Sequence, residues 1–396
     1  MTQRQSSKLA LLFTMEIFSG LSRGSFLVCI GWTTLIVTND VGRVGQAFIV
    51  SMLTMFLLGP FIGTIVDRHS HKWLVILAHL SIAMMLGWLG FAWVATAMPA
   101  IWPLFLIIAA TSALRLMHNS AHDGLIQAAT SPSRVMTTVA RFRAVHLIAT
   151  AIGTVLSGLV IEHISPASGF LFSAACSLVL CLPMLFIHAP KTAPATKTKP
   201  TFFADMRASF AIFTENRALR LLALLAAVSL PVGQLSNAAL SSLVRNDLGK
   251  GSDAFGFVEG AWPVGGMLAA ALLSLGLAGM TKRNMEYIFA TLAGLATLGL
   301  SLAPSIPTLA LLHAAMGMFV WLCRIVIDGR ILQLTTSENV GRTKVGVEMA
   351  FSLAALIMCL SPTLAPLPSA APYFMFWGGL VTLVALLIWA FDRKNP

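Results

Sequence analysis

Arginine and histidine side chains interrupt several long apolar stretches, where a charge is costly and therefore informative. Arg23 and Arg115 each stand inside such a stretch, and Arg115, His118 and His122 follow at i, i+3 and i+7, on one face of a helix. A guanidinium group binds carboxylate and phosphate bidentately and keeps its charge when partly desolvated. The pattern predicts a site for an anionic or zwitterionic small molecule. The predicted substrate-binding residues are Arg23, Arg115, His118, His122, Gln234, Asn237 and Arg324.

Acidic residues in the same stretches are candidate proton carriers. Glu16 is the first choice, because a carboxyl group beside an arginine can change its protonation when that arginine moves or binds an anion. Asp123 and Asp328 complete the predicted proton-coupling residues, and the two histidines could also titrate near neutral pH. Simpler interpretations stay open: Glu16 could form a fixed structural ion pair, the histidines could be ordinary packed residues, and Arg324 could pair with Asp328 one turn away.

No motif in the chain indicates an enzyme or a metalloprotein. The sequence has no Ser/His/Asp, His-Glu-x-x-His or paired-carboxylate arrangement at a common depth, and no Gly-Lys-Ser/Thr loop for ATP. Its five cysteines all fall in apolar stretches without Cys-x-x-Cys spacing. We therefore predict that the protein is not an enzyme and uses neither a cofactor nor a metal ion.

These residues are predicted to lie on membrane-spanning helices. Of 396 residues, 57% are apolar and 10% are charged, against about 25% charged in a soluble domain. Twelve stretches are apolar enough to span a bilayer, which predicts an all-α membrane protein with twelve transmembrane helices. They lie at about 9–37, 45–66, 73–97, 101–128, 139–161, 169–188, 218–243, 254–279, 285–303, 306–332, 345–366 and 371–391.

Loop charges predict the orientation. An even number of spans puts both termini on one side, and that side carries nearly all the loop lysines and arginines, whereas the opposite loops hold only Arg43, Arg245 and Lys250. Cationic loops face the cytoplasm. We expect both termini in the cytoplasm and the protein in a bacterial inner membrane, so the net charge of +11 requires no nucleic-acid partner.

The chain divides into two halves that resemble each other. Residues 1–188 and 218–396 are predicted six-helix bundles, joined by a cytoplasmic linker at 189–217 whose Phe202, Phe203, Met206, Phe210 and Phe213 suggest an interfacial helix. An intramembrane arginine, then Asp-Gly, then glutamine recur in order around Asp123 and around Asp328. In transporters such parallel repeats place a binding site between the halves near the bilayer midplane.

One cytoplasmic loop carries a family signature. Between the second and third spans, Gly63, Asp67, Arg68 and Lys72 match G-x-x-x-D-R-x-G-R-R, which resembles the loop motif of the major facilitator superfamily; positions 70 and 71 depart from it. The resemblance implies that spans 1, 4, 7 and 10 line a central cavity. It also implies a conformational latch, with Asp67 against the N-terminus of the eleventh span and Arg68 paired with Asp123. Alternatively, the loop is a turn whose charges only stop the helices from sliding.

A second resemblance concerns the branch of the superfamily. The run from Arg115 through His122 to Gln127 and the segment 243–273 are similar to the macrolide-efflux and siderophore-exporter branch. This implies a proton-coupled antiporter that exports a small metabolite such as a siderophore. The antiporter motif expected in the fifth span lacks its proline, as the chain reads Ser157-Gly158 there.

Other functions stay open from the sequence. A lysophospholipid or a hydrophobic drug is an alternative cargo, since the chain has 19 methionines and 24 phenylalanines that could line an apolar cavity. A substrate sensor or a membrane enzyme on a transporter scaffold is a remote alternative. We expect a monomer that meets a small molecule, protons and the lipid bilayer.

Overall fold

Helices make up the regular structure in the described part of the chain. The computed structural model describes residues 3–96, 101–130, 135–187, 213, 216–275, 284–335 and 340–394. Its helices are α1 (Gln3–Thr38), α2 (Val41–Arg68), α3 (His71–Thr96), α4 (Ile101–Ala129), α5 (Val135–His163), α6 (Pro166–Phe186), α7 (Arg217–Ser229), α8 (Val232–Ser242), α9 (Ser252–Ser274), α10 (Met285–Leu300), α11 (Ile306–Leu334), α12 (Val340–Leu364) and α13 (Ala371–Lys394). A π-helical turn at Leu243–Asp247 follows α8.

Most of these helices can cross a membrane. Within the described ranges, eleven segments are long and apolar enough to do so, with Arg217–Asp247 counted as one segment. Helix α10 is also apolar but has only 16 residues. The predicted all-helical membrane architecture is therefore confirmed.

The seventh predicted stretch, 218–243, is not one regular helix. Helix α7 ends at Ser229 and α8 begins at Val232, with Leu230 and Pro231 between them. Proline has no backbone N–H, and its ring clashes with the carbonyl group four residues earlier, so the α-helical hydrogen-bond pattern is interrupted there. Hydropathy alone does not register this break.

The chain forms two compact units. The first contains α1 to α6 and residues 250–260, at the start of α9; the second contains α7, α8, the rest of α9 and α10 to α13. Most of the predicted linker, including Phe202, Phe203, Met206 and Phe210, lies outside the described residues. Phe213 is described and buried, and its ring fills the space where a Cβ on Gly346 of α12 would be.

Glycines bring α1 and α5 of the first unit almost into backbone contact. A Cβ on Gly20 would lie 2.6 Å from Ala149 Cβ, and a Cβ on Gly24 or Gly153 would overlap backbone atoms of the opposite helix. Because no side chain separates the two helices here, polar groups one turn away on α1 can reach those on α5. Glu16 is one of those groups.

Two further contacts fix helix ends. In the first unit, Glu162 Oε2 accepts hydrogen bonds from the backbone N–H and the hydroxyl of Ser252, both at 2.8 Å, where α9 begins. In the second unit, Asp247 Oδ2 accepts the N–H groups of Ala370 and Ala371 at 3.0 Å, at the N-terminus of α13. A carboxylate at a helix N-terminus satisfies free N–H groups and complements the helix dipole.

Candidate substrate and coupling site

Two arginines lie near each other in the first unit, and neither has a carboxylate partner within the described ranges. Arg115 of α4 is 6% exposed, and its Nη2 donates hydrogen bonds to the carbonyl oxygen of Ser22 at 3.2 Å and to the Ser22 hydroxyl at 3.1 Å. Its guanidinium lies over the Phe26 ring at 5.0 Å, and its buried Nε has no hydrogen-bond partner in the part of the chain that the structure describes. Arg23 of α1 is close enough to repel the charge of Arg115.

The ion pairs of the described residues leave both arginines out. Carboxylates pair there with His122, Arg143, His146, Arg324 and Arg330. Two neighbouring guanidinium groups in a low-dielectric region repel each other, and one of them has an unused donor. An oxyanion between them would relieve the repulsion and accept that donor.

The carboxylate of Glu16 is 4% exposed and contacts two imidazoles. Its Oε1 lies 2.7 Å from His146 Nδ1 of α5, and its Oε2 lies 3.2 Å from His122 Nδ1 of α4. The His146 side chain is 18% exposed, so it is the more accessible of the two. The observed partners are histidines, whereas the sequence suggested an arginine.

Sequence reasoning missed His146. It lies in an apolar stretch, at 139–161, but on a span that the family resemblance does not place at the cavity. The signal in the sequence was a third ionisable side chain, shortly after Arg141 and Arg143, near the start of that apolar stretch. Only the close approach of α1 and α5 reveals its partner.

Three histidines of the first unit, His79, His118 and His122, form a continuous buried group. His118 Nε2 lies 3.2 Å from Ser19 Oγ; its ring stands edge-on to that of His79 at 4.5 Å and stacks on that of His122 at 5.5 Å. Arg115, His118 and His122 thus meet α1 through Ser22, Ser19 and Glu16 in turn. Glu16, His118 and His122 each offer a ligand atom within 4.8 Å of the others, which could hold a metal ion.

Arg324 in the second unit has counter-ions already. Its Nε lies 3.3 Å from Asp328 Oδ2 and its Nη2 lies 2.7 Å from Glu348 Oε2 of α12. The three side chains and Lys344 line a cavity of about 290 Å³. Arg324 therefore forms both the i, i+4 pair with Asp328 and an ion pair with Glu348 on the neighbouring helix. The two positive charges of Arg324 and Lys344 are balanced by the two carboxylates.

The other predicted polar residues of the second unit bond to each other. Asn237 Nδ2 donates to Gln234 Oε1 at 3.2 Å on α8. Nearby on the same helix, Ser236 Oγ lies 2.8 Å from His313 Nε2 of α11. Gln234 and Asn237 stay partly exposed, so they keep room for further hydrogen bonds.

The residues of the family loop lie at the ends of α2 and α3. Asp67 and Arg68 form the last turn of α2, and a Cβ on Gly63 would meet no atom within 4 Å. Lys72 Nζ donates to the carbonyl oxygen of Leu185 at 2.8 Å, at the end of α6. Asp123 lies 3.7 Å from Arg143 Nη2 of α5 in a half-exposed pair, so its observed cation is Arg143, where the resemblance implied Arg68.

Comparison with known proteins identifies the family. The model of the Major Facilitator Superfamily matches residues 12–366, whereas no curated protein matches the chain. Among solved structures, a mutant of the nucleoside transporter NupG is similar with a TM-score of 0.79 at 14% identity, over 97% of this chain and 99% of that one.

Two further structures are similar over nearly their full lengths. A bacterial homolog of the human lysosomal transporter Spinster has a TM-score of 0.69 at 11% identity, covering 99% of this chain and 96% of that one. A bacterial metal transporter has a TM-score of 0.68 at 14% identity, covering 98% and 99%. The chain belongs to the major facilitator superfamily, and it is a multi-pass membrane transporter, not an enzyme.

Proposed function

We propose that the protein is a secondary active transporter of a small anionic or zwitterionic metabolite. The observation that carries this proposal is the position of Arg115, buried beside Arg23 with an unused donor and no carboxylate partner among the described residues. A permanent charge in an apolar bundle is costly unless a ligand or water compensates it. An anionic cargo supplies that compensation during part of the transport cycle.

The substrate site that we propose is centred on the first unit. Arg23 and Arg115 bind the anionic group, and His118 and His122 extend the same face of α4 toward Glu16. For Gln234 and Asn237 of the second unit, a substrate-binding role remains a proposal from the sequence. Arg324, which the sequence also proposed as a ligand, has two carboxylate partners and therefore less charge to offer an anion.

Proton coupling belongs to the same proposal. Glu16 is the preferred carrier, because two imidazoles contact its carboxylate and one of them, His146, is partly exposed. Asp123 and Asp328 are weaker candidates, since each is partly exposed and already faces an arginine. The predicted latch residues Gly63, Asp67, Arg68, Lys72 and Asp123 keep that proposed role at the cytoplasmic ends of the helices.

The finer architecture is also proposed. We infer that α10 also crosses the membrane, which brings the number of spans to twelve. Its 16 helical residues cover about 24 Å at a rise of 1.5 Å per residue, slightly less than a hydrocarbon core of about 30 Å. A bilayer can thin locally around a helix that is a few ångströms short. We further propose cytoplasmic termini, a bacterial inner membrane and a monomeric exporter that works by alternating access. A siderophore is the cargo that the resemblance to the exporter branch favours.

Flux through reconstituted liposomes tests the proposal. The purified protein is placed in liposomes with an imposed pH gradient, and labelled succinate, citrate and a catecholate siderophore are followed. We expect gradient-driven flux of at least one anion in the wild type, none in Arg115→Gln, and gradient-independent exchange without net accumulation in Glu16→Gln. Gradient-driven movement of a lysophospholipid, with no flux of any anion, would contradict the assignment.

A further inference from the structure

We propose that Glu16, His118 and His122 form a binding site for a divalent first-row transition-metal ion of the Zn²⁺ type. The three side chains come from α1 and α4, and one ligand atom of each lies within 4.8 Å of the other two. All three residues are buried, with exposed fractions of 5% or less. Two imidazoles and one carboxylate are ligands that Zn²⁺ and its neighbours in the first transition series accept.

Unused hydrogen-bonding atoms on two of the three residues support the assignment. Glu16 Oε2 and His118 Nδ1 are buried and have no hydrogen-bond partner among the described residues. Glu16 Oε2 and His122 Nδ1 approach to 3.2 Å without the alignment of a hydrogen bond. Leaving such atoms unpaired is costly in an apolar interior. An ion bound by Glu16 Oε2, His118 Nδ1 and His122 Nδ1 would satisfy both unpaired atoms.

The separations suit a small ion. In a tetrahedral site with bonds of about 2.1 Å, ligand atoms are roughly 3.4 Å apart. The 3.2 Å between Glu16 Oε2 and His122 Nδ1 already matches this value. The ligand atom of His118 lies within 4.8 Å of both, so a side-chain shift of about 1 Å on metal binding would complete the site. Three protein ligands would leave a fourth coordination position open.

Outer contacts hold the proposed ligands in place. Ser19 Oγ lies 3.2 Å from His118 Nε2, which leaves Nδ1 of that ring as the ligand atom. His146 Nδ1 lies 2.7 Å from the second oxygen of Glu16, in an ionic contact without the alignment of a hydrogen bond. Such partners orient metal ligands and raise metal affinity.

The surrounding charges are mixed. The charge of Arg115 acts on His118 and opposes a cation. The negative charges of Glu16 and Asp123 act on His122 and favour a cation there. The carboxylate must be deprotonated to bind a metal, so a metal ion and a proton are alternative occupants of Glu16. The inference goes beyond the proposed anion transport and does not depend on it, because its readout is metal binding.

Zn²⁺ binding to the full-length protein in detergent, prepared without a histidine tag, tests the proposal. We expect one buried ion per chain by calorimetry, and zinc-edge X-ray absorption that shows imidazole and carboxylate ligands. Glu16→Gln, His118→Gln and His122→Gln should each weaken binding by at least about tenfold. His313→Gln is the matched control, because His313 is equally buried but lies in the second unit; it should leave the affinity unchanged.

Two results would overturn the proposal. One is the absence of Zn²⁺ binding to the wild type above the level of the surface histidines. The other is binding that Glu16→Gln and His122→Gln leave intact. Should a variant not fold, the absorption spectrum of the Co²⁺-loaded wild type decides: four-coordinate nitrogen and oxygen ligation supports the site, and six-coordinate aqueous cobalt refutes it.

Discussion

Replacing Arg115 with glutamine should strongly weaken anion binding while leaving the fold intact. The Arg115 guanidinium is buried and has a donor without a partner among the described residues, and hydrogen bonds to charged groups contribute about 1.5–3 kcal/mol each. Losing one such bond to the cargo would weaken affinity by about 10- to 150-fold. Arg115→Lys keeps the positive charge but loses the planar guanidinium. Its affinity for the anion should therefore lie between those of the wild type and Arg115→Gln.

Stability should change less than it would on breaking a structural ion pair. Arg115→Gln loses two hydrogen bonds from a charged donor to Ser22, about 1.5–3 kcal/mol each. It also removes a charge whose placement in the bilayer interior costs about 2.5–3.5 kcal/mol. These effects largely offset each other, so the free energy of unfolding of the ligand-free variant should stay within about 2 kcal/mol of that of the wild type. Breaking a buried ion pair would instead destabilise the protein by about 3–5 kcal/mol.

Thermal unfolding in detergent, with and without an anion, measures both quantities. Succinate, citrate and sulfate should raise the Tm of the wild type and should not raise that of Arg115→Gln. Arg324→Gln is the control, because its guanidinium is already paired with two carboxylates. A ligand-free Arg115→Gln that unfolds at much lower temperature, yet keeps the full anion-induced shift, would refute the reasoning.

Three further variants test the packing through the Tm of the ligand-free protein. Gly256→Leu should destabilise the protein by about 1–3 kcal/mol, because a Cβ there would overlap a backbone carbonyl of α5. Gly87→Leu is the control, since Gly87 has open space around it. Equal Tm values for the two variants would contradict the close contact of α5 and α9. Asp247→Ala should cost about 1 kcal/mol by uncapping α13, and an unchanged Tm would deny the cap. Arg330→Ala should lower the Tm, because it leaves the buried carboxylate of Glu286 unpaired. The double variant Arg330→Ala with Glu286→Gln should recover most of the lost Tm. If it does not, lost packing around Arg330, and not the unpaired charge, causes the destabilisation.

The helices were predictable because hydropathy and span length are local properties. The exceptions are local too: Pro231 interrupts the seventh stretch, and α10 is shorter than its predicted range of 285–303. The chemistry of Pro231 could have indicated the break, since a proline inside a helix removes a hydrogen bond. An average over a stretch hides that effect.

The candidate site was predictable only along single helices. The i, i+3, i+7 spacing placed Arg115, His118 and His122 on one face of α4, and the i, i+4 spacing allowed the Arg324–Asp328 pair. The partners across helices, His146 for Glu16 and Glu348 for Arg324, depend on which helices pack together. That information is not contained in the spacing along a single helix.

An anomalous-scattering map of crystals grown with selenate tests whether Arg23 and Arg115 together bind an oxyanion. Selenate is a divalent oxyanion whose four oxygen atoms can accept hydrogen bonds from guanidinium groups. The anomalous signal of selenium gives its position in the crystal. We expect a selenium peak in contact with the guanidinium groups of both Arg23 and Arg115. Peaks only at surface cations, with the two arginines bound to each other through water or to protein carboxylates, would contradict it.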